Sequence, residues 1–325
     1  MRDATRQHRP SNRNAARFLV VCWFVVPVVS CWRFIVGRCG ISPNSEEHTA
    51  DASRPLEPLL RWAGGKRQIV ARIRAFLPPD IENRVYREPF AGAACLFFSL
   101  QPTRGVLSDA NAHLIDCYRC VRDHPGAIAT YLAQHAKSTC ESYYYRIRAQ
   151  YNAGPSSTAQ AARFIYLNKT CFNGIFRVNI RGLFNVPYGF KEPPALPTHA
   201  HLLAASRALQ SAELRALPFE EAVADARDTD FVYLDPPYPP LNGTSYFTHY
   251  TADRFGKLDQ KRLATIVRDL DARGCKFLMS NADTAEIRRR YAPFEMRSLS
   301  VTRFITCKAK RHRVSELVVA NYPLQ

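Results

Sequence analysis

The chain has 325 residues, 46% of them apolar, and a formal net charge of +17. That is enough for one large domain with its own core, and it excludes a disordered chain or a small disulfide-stapled scaffold. The basic excess suits a polyanionic partner, and it is not a tail effect: residues 1–54 contribute +4 and the rest +13.

Arg2, Arg6, Arg9, Arg13 and Arg17 precede an apolar run from Phe18 to Val29. Its twelve residues fall short of the roughly 20 a membrane span needs. The run resembles a signal-peptide core or a weak membrane anchor. A third reading fits best: residues 1–54 are an extension outside the fold, because every recognisable motif begins near Leu59. Residues 40–58 have the composition of a linker. Ten cysteines include one close pair, Cys117 and Cys120, with no second pair or His cluster at ligand spacing. No metal is expected, and a reducing, cytoplasmic compartment fits.

Arg61-Trp62-Ala63-Gly64-Gly65-Lys66 reads as a glycine turn leading into a helix with Ile69, Ile73 and Phe76 on one face, stopped by Pro78-Pro79. Val85–Glu88 is a strand closing in the small-residue turn Phe90-Ala91-Gly92-Ala93-Ala94. A helix follows over Cys95–Leu100, then a strand over Gly105–Leu107 ending in Ser108-Asp109. Strand, turn, helix and strand in that order predict a parallel sheet. Helical patterning runs from Asn111 to about Ala153, with Pro125 placed to start a helix, and returns over Ala161–Asn168. Phe172–Phe190 holds three glycines and alternating apolar residues, the pattern of a β-hairpin or extended loop. No acid lies between Lys169 and Lys191, while Arg177 and Arg181 do. A helix over His199–Gln210 is followed by the strand Phe231–Leu234, which ends in Asp235-Pro236-Pro237-Tyr238. An amphipathic helix over Lys261–Arg273 and a strand over Lys276–Met279, ending in Ser280-Asn281, complete the pattern.

Four constellations carry chemistry. Ligands of open α/β sheets bind beyond the carboxyl ends of strands, where Asp235-Pro236-Pro237-Tyr238 falls. An amine on an aromatic ring is a poor nucleophile because its lone pair is delocalised. An acceptor pair, here the Asp235 carboxylate and the Pro236 carbonyl, would localise that pair. Prolines stiffen the turn, and Tyr238 offers a stacking face. Taken alone, the motif is more readily a simple proline-rich turn. The turn after Glu88, with Phe90 and Gly92, would let a nucleoside cofactor approach the backbone. Asp109 is placed either to bind ribose hydroxyls or to cap the helix after Asn111. Trp62 could pack a cofactor and Lys66 pair with an anion; the plainer alternative is a core Trp and a solvated Lys.

In order along the chain, these motifs resemble the Dam-type (D12 class) DNA N6-adenine methyltransferases, over about Leu59 to Tyr322. The matching segments are Arg-Trp-Ala-Gly-Gly-Lys at 61–66, Glu-Pro-Phe-Ala-Gly-Ala at 88–93, Ser-Asp-Ala-Asn at 108–111 and Phe-Asn-Gly-Ile-Phe-Arg-Val-Asn at 172–179. Asn-Val-Pro-Tyr-Gly at 185–189, Asp-Pro-Pro-Tyr at 235–238 and Val-Ser-Glu-Leu at 314–317 complete them. The resemblance implies that Trp62, Lys66, Asp109 and Asp235, with Glu88, Phe90 and Gly92 of the turn, hold S-adenosylmethionine. It implies that Asp235, Pro236, Pro237 and Tyr238 form the catalytic motif. It further implies that Arg61, Phe172, Asn173, Ile175, Arg177 and Pro187 contact DNA, with Phe172 and Asn173 at the tip of a hairpin. Two departures stand out. Ala94 replaces a glycine usual in the family, and residues 305–310 replace a Ser/Gly-rich loop.

The expected fold is therefore α/β, a Rossmann-like S-adenosylmethionine-dependent methyltransferase. Its catalytic domain would span 55–115 and 215–325, with a helical, hairpin-bearing target-recognition insertion at 116–214. The expected function is methylation of adenine N6 in double-stranded DNA, at a short palindrome such as GATC, by a monomer needing no membrane partner. The alternatives are an RNA or cytosine-N4 methyltransferase and a catalytically silent DNA-binding protein.

Overall fold

The computed structural model describes residues 55–190, 193–238, 255–304 and 311–324. The sequence expectations for residues 1–54 and for the loop at 305–310 fall outside these residues.

The first half of the sheet builds as the sequence suggests. Strand β1 (Val85–Glu88) leads into helix α2 (Cys95–Leu100), and β2 (Gly105–Ser108) pairs parallel to β1. Strand β4 (Asp230–Leu234) is buried along its whole length and pairs parallel to β1 on the other side. The helix at the glycine turn, α1 (Val70–Arg74), is shorter than its apolar pattern, because turns occupy the residues between Lys66 and Ile69. The long helical stretch divides into α3 (Ala112–Asp123), α4 (Pro125–Lys137) and α5 (Glu141–Ala153), with Pro125 opening α4 as expected. Helix α6 (Thr158–Thr170) carries Asn168 and Lys169 near its end, and α7 (His199–Leu209) leads into a strand that the pattern did not reveal, β3 (Ala212–Arg215). Helix α8 (Phe219–Ala222) precedes β4, and α9 (Lys257–Ala272) feeds β5 (Lys276–Ala282). After α10 (Ala285–Arg290), β6 (Glu295–Phe304) and β7 (Arg311–Ala320) form an antiparallel pair.

The seven strands lie in the order β3-β2-β1-β4-β5-β7-β6. All neighbours are parallel except β7, which runs antiparallel to both β5 and β6. This is a mixed α/β sheet. Alternation along β4 divides its side chains between two cores. Phe231 and Tyr233 face the cluster built with α2 to α7, and Val232 and Leu234 face the cluster built with α8 to α10. Strand order reverses between β1 and β4, so the crevice of an open α/β sheet opens where those two strands end. Helix α3 runs across position 116, and β3 at 212–215 is a strand of this sheet. No helix among the described residues is long and apolar enough to cross a membrane.

Candidate active site

Strand β1 ends in Glu88 and β4 ends in Leu234, so the glycine turn and Asp235 emerge side by side. Gly92 has φ +47°, and a Cβ there would lie 2.8 Å from Trp62 Cδ1. Only glycine fits so close to the indole. Asp109, just beyond β2, grips this turn: Gly92 N donates to its Oδ2 at 3.0 Å and Asn111 N to its Oδ1 at 2.9 Å. The cap of α3 is Asn111, whose side chain accepts from Leu114 N, and not Asp109. Burial pushes the Asp109 carboxyl up, opposed by those two backbone donors.

Lys66 is 4% exposed and pairs with Asp235 Oδ1 at 2.7 Å, while also donating to Gly64 O at 2.5 Å. The solvated-lysine reading of Lys66 is therefore corrected: the glycine turn of Gly64-Gly65 folds the ammonium inward. Ser280 Oγ, at the end of β5, donates to the same Oδ1 at 2.7 Å. Both contacts hold Asp235 by one oxygen, which leaves Oδ2 outside them. Burial raises the Asp235 carboxyl, opposed by Lys66 and Ser280. Glu88 is 3% exposed and accepts Tyr86 Oη–H at 2.8 Å. Burial pushes it up to about 8, with Asp235 and Asp109 adding to the rise.

Tyr238 donates to Glu316 Oε2 at 2.9 Å, and Lys66 Nζ lies 4.8 Å from its ring centroid. Pro237 O accepts from Gln260 Nε2 of α9 at 3.3 Å. Phe90 stacks on Phe219 at 5.2 Å and meets Phe255 edge-on at 5.8 Å, which gives the crevice an aromatic wall. Three carboxyl groups, Glu88, Asp109 and Asp235, thus line the crevice against one buried ammonium, Lys66, which pairs with Asp235 alone among them. The excess of negative groups, the side-chain-free turn at Gly92 and the aromatic wall fit a cationic nucleoside ligand. Ala94 takes φ 50°, ψ 42°, the left-handed conformation for which glycine is suited, so alanine here carries backbone strain instead of adopting another conformation.

The residues expected to meet DNA gather at a second place. Arg61 is fixed by Asn168, which accepts from Arg61 N and donates to Arg61 O, both at 2.8 Å. Gly174, φ +64°, lies under the Arg61 side chain, where a Cβ would sit 2.5 Å from Cδ. Lys169 stands nearby; burial, with Arg61 and Arg67, lowers it to about 8. The segment 172–190 is an extended loop closed by isolated antiparallel bridges, Cys171 with Tyr188 and Val178 with Phe184. Its turn lies at Asn179–Gly182, with Ile180 fully exposed. Phe172 and Asn173 are therefore at the base of the loop, beside Pro187, and not at its tip. The cause is the 3-10 turn Phe172–Gly174 that ends α6. Phe172 is nonetheless exposed, as is Pro187. Arg177 Nε donates to Asn185 Oδ1 at 2.9 Å, and Ile175 is half-buried. Phe176 stacks on Trp62 at 5.9 Å, which ties the loop to the glycine turn.

Sequence reading gave no site role to Ser280, Glu316, Asn168 and Phe219, although Glu316 lies in the matched segment 314–317. Ser280 carried a usable signal, as a small polar residue at the end of a strand; the others are joined to the site only by the fold.

The family described as D12 class N6 adenine-specific DNA methyltransferase matches residues 62–305. The chain is 36% identical over 274 residues to the type II methyltransferase M1.LlaDCHI of Lactococcus lactis subsp. cremoris, covering 82% of this chain and 96% of that protein. It is 35% identical to the type II methyltransferase M.MjaIII of Methanocaldococcus jannaschii, with 82% and 99% covered. It is 33% identical to the DNA adenine methylase of Escherichia coli strain K12, with 81% and 95% covered.

Proposed function

Because the chain belongs to the D12 class of N6 adenine-specific DNA methyltransferases, we propose that its site methylates adenine N6 with S-adenosylmethionine held at the β1–β4 crevice. When bound, the cofactor supplies an electrophilic methyl on a sulfonium. The rest of the chemistry belongs to this chain's residues. The observation that carries the reading is the one-sided hold on Asp235: Lys66 and Ser280 both engage Oδ1. Oδ2 is thereby aimed to accept an N6–H, and the Pro236 carbonyl accepts the other. That pair draws the amine lone pair out of the ring. Tyr238 stacks on the base once it has left the duplex, as enzymes acting on buried base atoms require. Glu88, Asp109, Gly92, Trp62 and the Phe90 wall surround the cofactor. Asp109 and Asp235, set against the single Lys66 ammonium, leave a net negative charge that compensates its positive one.

We assign DNA recognition to the part of 116–214 that lies outside β3, working with Arg61 of the catalytic part and acting as a monomer. Arg177 reads a guanine edge, Ile175 and Pro187 meet thymine methyls, and Phe172 wedges between base steps at a short palindrome such as GATC. The family sets aside the cytosine-N4 and RNA readings. The test is to sequence the genome of a methylation-free host expressing the chain. N6-methyladenine at one motif is expected, and Asp235→Ala should lower in vitro transfer by on the order of a hundredfold or more. Near-normal transfer by that variant would overturn the role given to Asp235.

A further inference from the structure

We propose that Glu316 of β7 is a positioning residue for methyl transfer, fixing the plane of the Tyr238 ring against the extruded base. The inference rests on the stacking role given to Tyr238 above. Glu316 sits within the sheet, paired across β5 with Ala282 and across β6 with Leu299, and is 3% exposed. Its companions on the same face of β7, Val318 and Ala320, belong to the apolar core. A carboxylate in such a row costs free energy unless polar contacts offset its desolvation. Here its Oε2 accepts the Tyr238 hydroxyl at 2.9 Å.

Tyr238 itself lies past the end of β4, in a turn and not on a strand. A ring carried by a turn rocks about its side-chain bonds unless its far end is held. Glu316 supplies that hold from a strand paired on both sides, with β5 and β6. Burial pushes the Tyr238 phenol upward, so it remains a hydrogen donor. The Lys66 ammonium, 4.8 Å from the centroid, sets a second point on the ring. A hydroxyl anchor and a cation against the π-face together define the ring's tilt. Aromatic stacking depends on that tilt. The residue thus acts on the base through Tyr238, without touching the reacting atoms.

The test uses the full chain with S-adenosylhomocysteine and a duplex carrying 2-aminopurine in place of the methylated adenine of the motif found by genomic sequencing. Emission of the extruded base and the kcat for transfer on the unmodified duplex are read together. Tyr238→Phe and Glu316→Ala should each lower both by about tenfold, the scale of one hydrogen bond to a charged group. The double variant should be no worse than the poorer single one. Glu316→Gln keeps a carbonyl acceptor and should stay within about threefold of the parent. Calorimetric affinity for S-adenosylhomocysteine should be unchanged in the Glu316 variants. Additive losses in the double variant, or a Glu316→Gln loss equal to that of Tyr238→Phe, would overturn the inference. Should Glu316→Ala fail to fold, the cycle between Glu316→Gln and Tyr238→Phe decides, since the glutamine should then make no difference once the hydroxyl is gone. Tyr238→Ala separates the two ideas. Full emission in that variant overturns the stacking role itself, whereas lost emission there with intact emission in Glu316→Ala overturns only the part given to Glu316.

Discussion

Two residues of the crevice hold chemistry at odds with their surroundings. Glu88 is a carboxyl pushed up to about 8, chiefly by burial. In the unfolded chain it ionises near 4.5. Between those values the folded state binds a proton that the unfolded state has lost, so stability falls as pH rises from about 4.5 through about 8. Glu88→Gln removes that dependence. Urea unfolding at pH 5, 7 and 9 should show the variant gaining on the parent as pH rises; parallel curves would contradict a protonated Glu88. Ala94 holds φ 50° with its side chain buried. Ala94→Gly relieves roughly 1–2 kcal/mol of left-handed strain. It also loses a buried methyl worth about 0.8 kcal/mol and adds unfolded-state entropy worth about 0.5–1 kcal/mol. These effects nearly cancel, so a change within about 1 kcal/mol is expected. Ala94→Val adds a β-branch to the same conformation inside the core and should cost about 2 kcal/mol or more. Calorimetric melting of both variants checks the ordering. At this scale the site was largely legible: Gly92, Asp109 and Asp235 stood out as distinctive residues just past strand ends, and Trp62 and Lys66 as the ends of a glycine turn. Glu316 did not, because a glutamate in an apolar strand gains meaning only from Tyr238, 78 residues away.

Among the elements, the recognition loop carries the sharpest test. Arg177 is tied by Nε to Asn185 across the loop, and in the proposed recognition its terminal nitrogens meet a guanine edge. Arg177→Ala should cost about 1–3 kcal/mol and relax the methylated motif at one position. A phosphate contact would instead weaken every site equally. Methylation profiling of the variant distinguishes the two, and an unchanged motif with uniformly lower activity rules out base readout. The loop also shows where pattern reading stops. Alternating apolar residues between Phe172 and Phe190 predicted a hairpin or an extended loop, and the extended loop is what forms: Phe184 and Tyr188 make only isolated bridges, and with Phe176 they are buried against α5 and α6. Tertiary packing overrode strand propensity. The strands β3, β6 and β7 escaped for a related reason: charged and exposed residues interrupt the apolar pattern of the edge strands β3 and β6, and β7 opens on Arg311-His312-Arg313, whereas β1 and β4 are closed by distinctive turns.

For the whole molecule, a charge of +17 makes affinity for DNA a matter of released counterions. The logarithm of the association constant on duplex DNA should fall linearly with the logarithm of salt, by about 0.9 per phosphate neutralised. Fluorescence anisotropy between 50 and 200 mM salt measures the slope, and a value near zero would contradict a basic DNA-facing surface. The strand order has a consequence for synthesis. Val85 of β1 pairs with Asp230 of β4, so β1 waits for some 145 further residues before its second neighbour exists. At about 5–20 residues per second, that is on the order of ten seconds on the ribosome. The helices of the intervening segment pack on one another through neighbouring stretches of chain and can form during the wait. The catalytic crevice cannot, because its two walls are made at different times, and a nascent chain stalled between them presents β1 as an open edge for other polypeptides to join.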